Sequence, residues 1–434
     1  MSTPTPPLTE RPSAQPVLAV ALETLVRTDV VLEAAFAQVR RAPQDLLRVV
    51  VWRMAGRRAF AERLAHGGAF EPSALPFDEA LLERLRAEHA AGRTIVLIAQ
   101  SGRTLAEAVA AHLGIFSQVM SPEGGEAVPT GCERAEATPV PNSRRIRALI
   151  RALRPHQWTK NALVFAPVLL AHAVTRGPLM LQAVWAFAAF CLCASSVYVL
   201  NDLLDLHADR AHHHKRTRPF ASGELPLGAG LAIAPVLLLG ACAIATRLSH
   251  TFVLVLGAYY AATLAYSLYL KRVVLLDVLL LAGLYTARII AGGVATEVAV
   301  SQWLLAFSMF IFLSLAFVKR YSEVHTLRKK GVEEAKGRGY RASDLEQLSS
   351  LGASAGFISV LVLALYVSSA DVTKLYAHPA RLWGILPLFL YWISRVWLLA
   401  HRGQMHDDPI VFAIRDRASY VIAALVAAVV WLSI

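Results

Sequence analysis

Charge is scarce in this chain, and so is cysteine. Only 17% of the 434 residues are Asp, Glu, Lys or Arg, whereas 56% are apolar. A water-soluble globule of this length would carry more charged surface than that. The four cysteines (Cys132, Cys191, Cys193 and Cys242) include no C-x-x-C pair, which argues against a zinc ribbon and against a disulfide framework. No apolar run opens the chain. MSTPTPPLTERPSAQ is polar and rich in Pro and Thr, so a disordered tail is expected over 1–15, without a cleaved leader. The net charge of +12 does not call for nucleic acid, because Lys and Arg of membrane proteins collect on the cytoplasmic side.

The apolar residues are unevenly spread. Residues 1–150 read as water-soluble, whereas from Asn161 onward the sequence is a series of runs of 16–23 apolar residues. About 20 residues, rising ~1.5 Å each, cross a ~30 Å hydrocarbon core. Nine spans are expected, over 161–176, 179–200, 230–247, 251–270, 273–295, 302–318, 352–370, 381–400 and 418–434. The loops at 201–229, 271–272, 319–351 and 401–417 hold 17 Lys and Arg, against four on the alternate side (Arg176, Arg247, Lys374, Arg381). That imbalance predicts a multi-pass protein of the cell membrane with its N-terminus and the basic loops in the cytoplasm.

The charges that remain are concentrated. In YVLNDLLDLHADRAHHHKRTRPFASGEL (198–225), Asn201, Asp205 and Asp209 recur every four residues directly after an apolar run. On a helix they drift only slowly around one face. Stacked oxygen donors suit Mg²⁺, which takes one or two carboxylates together with phosphate oxygens and water. A solvated helix end paired with Arg210, Lys215 and Arg216 would need neither the stacked like charges nor the leading amide. His212–His214 are consecutive, share no helix face, and read as loop. Arg288 lies inside the apolar run 273–295, where an unpaired guanidinium is expensive and a functional partner is expected.

The pattern N-D-x-x-D-x-x-x-D, followed by H-x-x-K-R-x-R-P-x-A-S-G, resembles the first aspartate-rich motif of the UbiA superfamily of intramembrane prenyltransferases. The resemblance implies an all-α, nine-helix UbiA-type transmembrane bundle over 161–434, with Mg²⁺ holding a diphosphate. Ordinary members carry a second acidic cluster after the sixth span. Here that stretch begins FVKRYSEVHTLRKKG, with Lys319, Arg320 and Glu323. RPHQWTKN (154–161), YSLYLKRVVLLD (266–277), ARIIAGG (287–293) and VKRY (318–321) resemble the decaprenyl-phosphate phosphoribosyltransferase branch. That branch implies transfer of 5-phosphoribose from phosphoribosyl diphosphate (PRPP) to a polyprenyl phosphate, with release of diphosphate, in cell-envelope synthesis. Prenyl transfer from a prenyl diphosphate to an aromatic or other acceptor is the alternative. A transporter fits less well, because the charges cluster at helix ends and no inverted repeat is visible.

Carried over residue by residue, the resemblance implies Asn201 and Asp205 as magnesium ligands, with Asp209 in a metal or water-positioning role. All three would be catalytic. Tyr198 is implied at the sugar phosphate, Lys160, Lys215, Lys271 and Arg288 at PRPP, and Lys319 at the lipid phosphate. Tyr266 and Asp277 belong to the motifs without an assigned role. Asp407 and Asp408, in MHDDPIVFAIRD (405–416), read either as family-like or as a helix cap. The implied partners are PRPP, a polyprenyl phosphate lipid and the membrane, with no nucleic acid; a homo-oligomer is compatible with this reading.

Residues 16–137 carry a different resemblance. PVLAVALETLVRTDVVLEA, LPFDEALLERLRAEHAAGRTIVLIAQS and HLGIFSQVMSPEGGE resemble a haloacid dehalogenase (HAD)-type phosphatase, an α/β fold that opens with D-x-D-x-T. Aligned on Thr24, the two aspartate positions hold Val20 and Leu22, the second-motif hydroxyl falls at Ala99, and the lysine at Arg134. The final acidic motif is missing. A degenerate HAD-like domain without phosphatase chemistry is therefore expected over 16–140, followed over 141–160 by a linker and a basic interfacial helix. Every charged transfer motif lies after residue 150, so this domain is expected to be dispensable for transfer.

Overall fold

A computed structural model gives the architecture. It describes residues 16–434 apart from 101, 123–125, 127–131, 137–141, 332, 334–338 and 406–408. The tail at 1–15 and the pair Asp407 and Asp408 lie outside the described residues. The chain divides into two compact units, Met1–Leu153 with Tyr198–Ile233, and Arg154–Val197 with Ala234–Ile434. This division differs from a boundary near residue 160. The acidic stretch that follows Tyr198 belongs with the N-terminal residues.

The first unit is built on a four-stranded parallel sheet in the order β3-β2-β1-β4. Its strands are β1 (Leu18–Ala21), β2 (Ile95–Ile98), β3 (Gln118–Met120) and β4 (Glu133–Arg134). LAVA and IVLI are nearly continuous apolar runs, as strands of a parallel sheet buried on both faces require. Val20 and Leu22, which stand where the HAD pattern has its two aspartates, are in the apolar core with Leu25, Leu97 and Ala99. The side chains that replaced the hydrolytic carboxylates therefore consolidate the core. The Val30–Arg41 helix starts at Asp29, whose carboxylate accepts from the amides of Val31 and Leu32, satisfying two donors of its first turn. Leu204, the last residue of the Gly177–Leu204 helix, packs against the same core. Gly223 has φ +74°, and a Cβ there would meet Arg27 Cβ at 2.5 Å and the Arg27 carbonyl oxygen at 2.8 Å. Both constraints demand glycine in the A-S-G motif.

Among the described residues, seven helices are long and apolar enough to cross a membrane. They coincide with seven of the nine expected spans. The expected last span forms as the 17-residue helix Arg417–Ser433, which is short for a crossing. The expected first span is not one helix. Pro155–Phe165 is wound as 3₁₀ turns and is followed by only Ala166–Leu170, with Pro at the start of each piece and His172 at φ 53° just beyond. A third difference concerns 319–329. The Gln302–Lys329 helix runs on through this stretch, so Lys319, Arg320 and Glu323 ride on a helix and not on a loop. Lys, Arg and Glu are good helix formers, and the first breaker is Gly331 at φ +69°.

In the second unit, small residues let helices close on one another. A Cβ at Gly352 would lie 2.2 Å from the Trp397 ring and 2.6 Å from Phe317 Cβ. Ser314 donates to the Gly352 carbonyl at 2.7 Å and accepts from the Trp397 indole at 3.0 Å. Large apolar side chains such as Leu239, Leu254, Leu361 and Trp431 point outward and are exposed, as a lipid-facing surface requires. The ARIIAGG segment has a steric cause: a Cβ on Gly292 would sit 2.0 Å from the Val164 carbonyl oxygen, while none would meet any atom within 4 Å at Gly283 on the same helix. Gly292→Ala is therefore expected to destabilise the protein by about 1–3 kcal/mol and Gly283→Ala to leave it unchanged or slightly firmer. Thermal unfolding of the detergent-solubilised variants checks this, and equal midpoints for the two would refute the close-packing account.

Candidate functional site: an acidic helix end and buried cations

In the first unit, the Gly177–Leu204 helix ends just before Asp205, and a short helix, Leu206–Ala211, follows. The amide of Asp205 still donates to the Asn201 carbonyl at 2.9 Å, and that of Asp209 to the Asp205 carbonyl at 2.8 Å. The four-residue repeat is thus kept across the break, and Asn201, Asp205 and Asp209 stack along one face. Tyr198 lies one turn earlier, half-buried, and Lys215 is exposed on the Lys215–Thr217 turn.

Arginines stand against these carboxylates. Arg218 donates to Asp209 at 2.6 Å and to Asp202 at 3.2 Å, with both acids buried. Burial pushes the Asp209 carboxyl above its ordinary range, and Arg218 and Lys215 pull it back. Arg40 Nη2 lies 3.0 Å from Asp205 Oδ1. Arg210 grips Glu33 through two nitrogens, at 2.6 and 3.1 Å, and donates to the carbonyls of Ala74 and Ala221. Glu33 is fully buried. Among the described residues, no three His, Cys, Asp or Glu side chains form a metal cluster. Two carboxylates and an amide on one face nonetheless fit Mg²⁺, whose remaining positions go to phosphate and water. The guanidinium groups already drawn to Asp205 and Asp209 show that this face favours cations.

The second unit holds the other expected site residues in two groups. Lys160 Nζ and the Arg288 guanidinium lie 5.9 and 5.2 Å from the centroid of the Tyr285 ring, so these two are brought together. Arg288 is buried and donates to Asn161 Oδ1 at 2.9 Å, to the Tyr259 hydroxyl at 2.7 Å and to the Leu284 carbonyl at 2.6 Å. Asn161 also donates to Cys191 Sγ at 3.3 Å, and Trp158 donates to Ser195 at 3.0 Å. The RPHQWTKN segment is therefore pinned to two membrane helices, and its asparagine orients the intramembrane arginine. Lys271 sits on the Leu270–Arg272 turn and Lys319 next to Arg320 on the Gln302–Lys329 helix.

Among the described residues, Arg320 is the largest fully buried side chain. Its guanidinium is held by Asp277, Glu323 and Tyr266, and Asp277 in turn accepts from the Tyr340 hydroxyl at 2.6 Å. Tyr266 and Asp277, to which the sequence assigned no role, brace this arginine. The sequence also missed Arg40, Arg218 and the pair Glu33–Arg210. An acid inside an apolar run was the available signal for Asp277, because such a residue requires a cation.

Residues 162–414 match the model of the UbiA prenyltransferase family, and residues 9–166 match that of the haloacid dehalogenase-like hydrolases. The protein y4nM of Sinorhizobium fredii is 35% identical over 93% of this chain and 88% of its own length. The decaprenyl-phosphate phosphoribosyltransferase of Mycolicibacterium smegmatis is 32% identical over 67% of this chain and 93% of its own. A UbiA homologue from Archaeoglobus fulgidus, solved bound to GPP and Mg²⁺, has the same membrane fold, with a TM-score of 0.50 at 17% identity over 65% of this chain and 99% of that one.

Replacing Asp277 alone leaves Arg320 buried with less compensation, which typically destabilises by about 3–5 kcal/mol. Asp277→Leu is expected to lower the thermal midpoint in detergent sharply, and Asp277→Leu with Arg320→Leu to recover a large part of the loss. A double variant no more stable than the single one would show that the pair is not energetically coupled.

Proposed function

The chain belongs to the UbiA prenyltransferase family, and on that basis we propose that this multi-pass membrane enzyme transfers 5-phosphoribose from PRPP to a polyprenyl phosphate of the decaprenyl type, releasing diphosphate. The observation that carries the reading is Lys319 on the Gln302–Lys329 helix. It stands in the stretch where a prenyl-diphosphate enzyme would place a second acidic cluster, and Glu323 in that stretch is already held by the buried Arg320. A donor with a diphosphate and a 5-phosphate, and an acceptor with a third phosphate, need one metal face and several fixed cations. The name of the M. smegmatis relative supports the same reading.

Asn201 and Asp205, with Asp209, would hold Mg²⁺. Bound there, the ion would neutralise charge on the departing diphosphate. Lys160, Lys215, Lys271 and Arg288 bind the phosphates of PRPP, Tyr198 contacts its sugar phosphate, and Lys319 binds the lipid phosphate. The bond from the anomeric carbon to the diphosphate oxygen breaks, with its electron pair leaving on the diphosphate. A phosphate oxygen of the lipid then forms the new bond to that carbon. Cationic side chains fixed in advance stabilise the charge that develops on the leaving group without reorganising. The acceptor is already anionic near neutral pH, so no general base is needed. The basic ends and the N-terminal domain face the cytoplasm, a reading supported by the 17-to-four division of loop Lys and Arg.

Purified protein given Mg²⁺, polyprenyl phosphate and labelled PRPP is expected to produce a labelled lipid and diphosphate, with neither formed when the lipid or the metal is left out. Label moving from a prenyl diphosphate to an aromatic acceptor, and none from PRPP, would overturn the reading.

A further inference from the structure

The Val30–Arg41 helix of the N-terminal domain meets the acidic segment at two points. Glu33 and Arg40 are seven residues apart, two helical turns, and therefore share a face. Glu33 holds Arg210 through a buried two-point contact, and Arg40 reaches Asp205 at 3.0 Å. The Arg40 side chain is 29% exposed and that of Asp205 22%, so the pair lies at an accessible edge. The first contact fixes the helix against the segment, which keeps the charge of Arg40 close to Asp205 whatever else binds there. A divalent cation on Asp205 would then face a guanidinium a few ångströms away. The two repel unless an anion lies between them, and a diphosphate is an anion that both can bind, the guanidinium through paired N–H groups.

We infer that Arg40 is a further substrate-binding residue of the transferase, supplied by the HAD-like domain: it holds Asp205 in the absence of a divalent cation and takes the diphosphate of the donor once the cation is bound. Metal and diphosphate then bind cooperatively, and the domain that lost its own hydrolytic carboxylates acts in transfer. The inference rests on Asn201, Asp205 and Asp209 being the metal face, and it holds for any diphosphate donor.

The test uses the full-length protein and Mn²⁺ as the probe ion. Free Mn²⁺ is followed by electron paramagnetic resonance with and without inorganic pyrophosphate, allowing for the Mn²⁺–pyrophosphate complex in solution. Arg40→Ala is expected to bind Mn²⁺ alone roughly threefold to tenfold more tightly than the native protein, because a competing charge is gone. The same variant is expected to lose most of the strengthening that pyrophosphate gives, and Arg40→Lys to keep part of it. Arg40→Ala indistinguishable from the native protein in both titrations, or weaker for Mn²⁺ alone, would overturn the inference. Asp205→Asn separates the two levels. If it leaves Mn²⁺ binding intact, the metal face itself is wrong and both readings fall. If it abolishes binding while Arg40→Ala is silent, only the role of Arg40 falls.

Discussion

Carboxylates at the end of an apolar helix are stable only when cations stand against them, and the first unit is organised around that constraint. Asp202 and Asp209 are buried, and Arg218 answers both. Asp205 is answered from the N-terminal domain by Arg40, and the loop that carries Arg218 is tied back through Arg210 to Glu33. The value of such pairs lies less in net stability than in what happens when one member is removed, because the partner is left charged and buried. A divalent ion and a diphosphate together satisfy the same constraint, which is why a face of this kind suits metal-assisted chemistry.

The second unit applies the rule with the signs reversed. Arg288 and Arg320 are buried in apolar helices, and each is surrounded: Arg288 by Asn161, Tyr259 and a carbonyl, Arg320 by Asp277, Glu323 and Tyr266. Three of these partners, Asn161, Tyr266 and Asp277, come from motifs that look in sequence like isolated signatures. Arg320 is neutralised by its two acids, whereas Arg288 meets only neutral partners among the described residues. A preorganised cation of the second kind can stabilise a departing phosphate group without a second metal, and the proposed function rests on Arg288 and the lysines in that role.

Most of the membrane fold was legible, because an apolar run of about 20 residues has few alternatives. The segment 161–176 is apolar enough to mislead, but its first five residues end the 3₁₀ stretch Pro155–Phe165, which is held by the bonds of Trp158 and Asn161, and Pro167 opens the short helix that follows. The four-residue spacing of Asn201, Asp205 and Asp209 could be read directly, and backbone hydrogen bonds carry that repeat across the helix break at Asp205. The loss of hydrolytic aspartates at Val20 and Leu22 was equally plain. What could not be read were pairs distant in sequence: Glu33 and Arg210 are 177 residues apart, Asp277 and Arg320 43, and no local pattern links them. The N-terminal domain is expected to be dispensable because every charged transfer motif lies after residue 150, and the structure adds that Glu33 and Arg40 of this domain meet Arg210 and Asp205.

If fixed cations have replaced a second metal, equilibrium dialysis of the purified full-length protein at saturating Mn²⁺ and PRPP finds one ion per chain, and Asp205→Asn loses it. Two ions per chain with a prenyl diphosphate, and none held with PRPP, would mean that the second metal is still there.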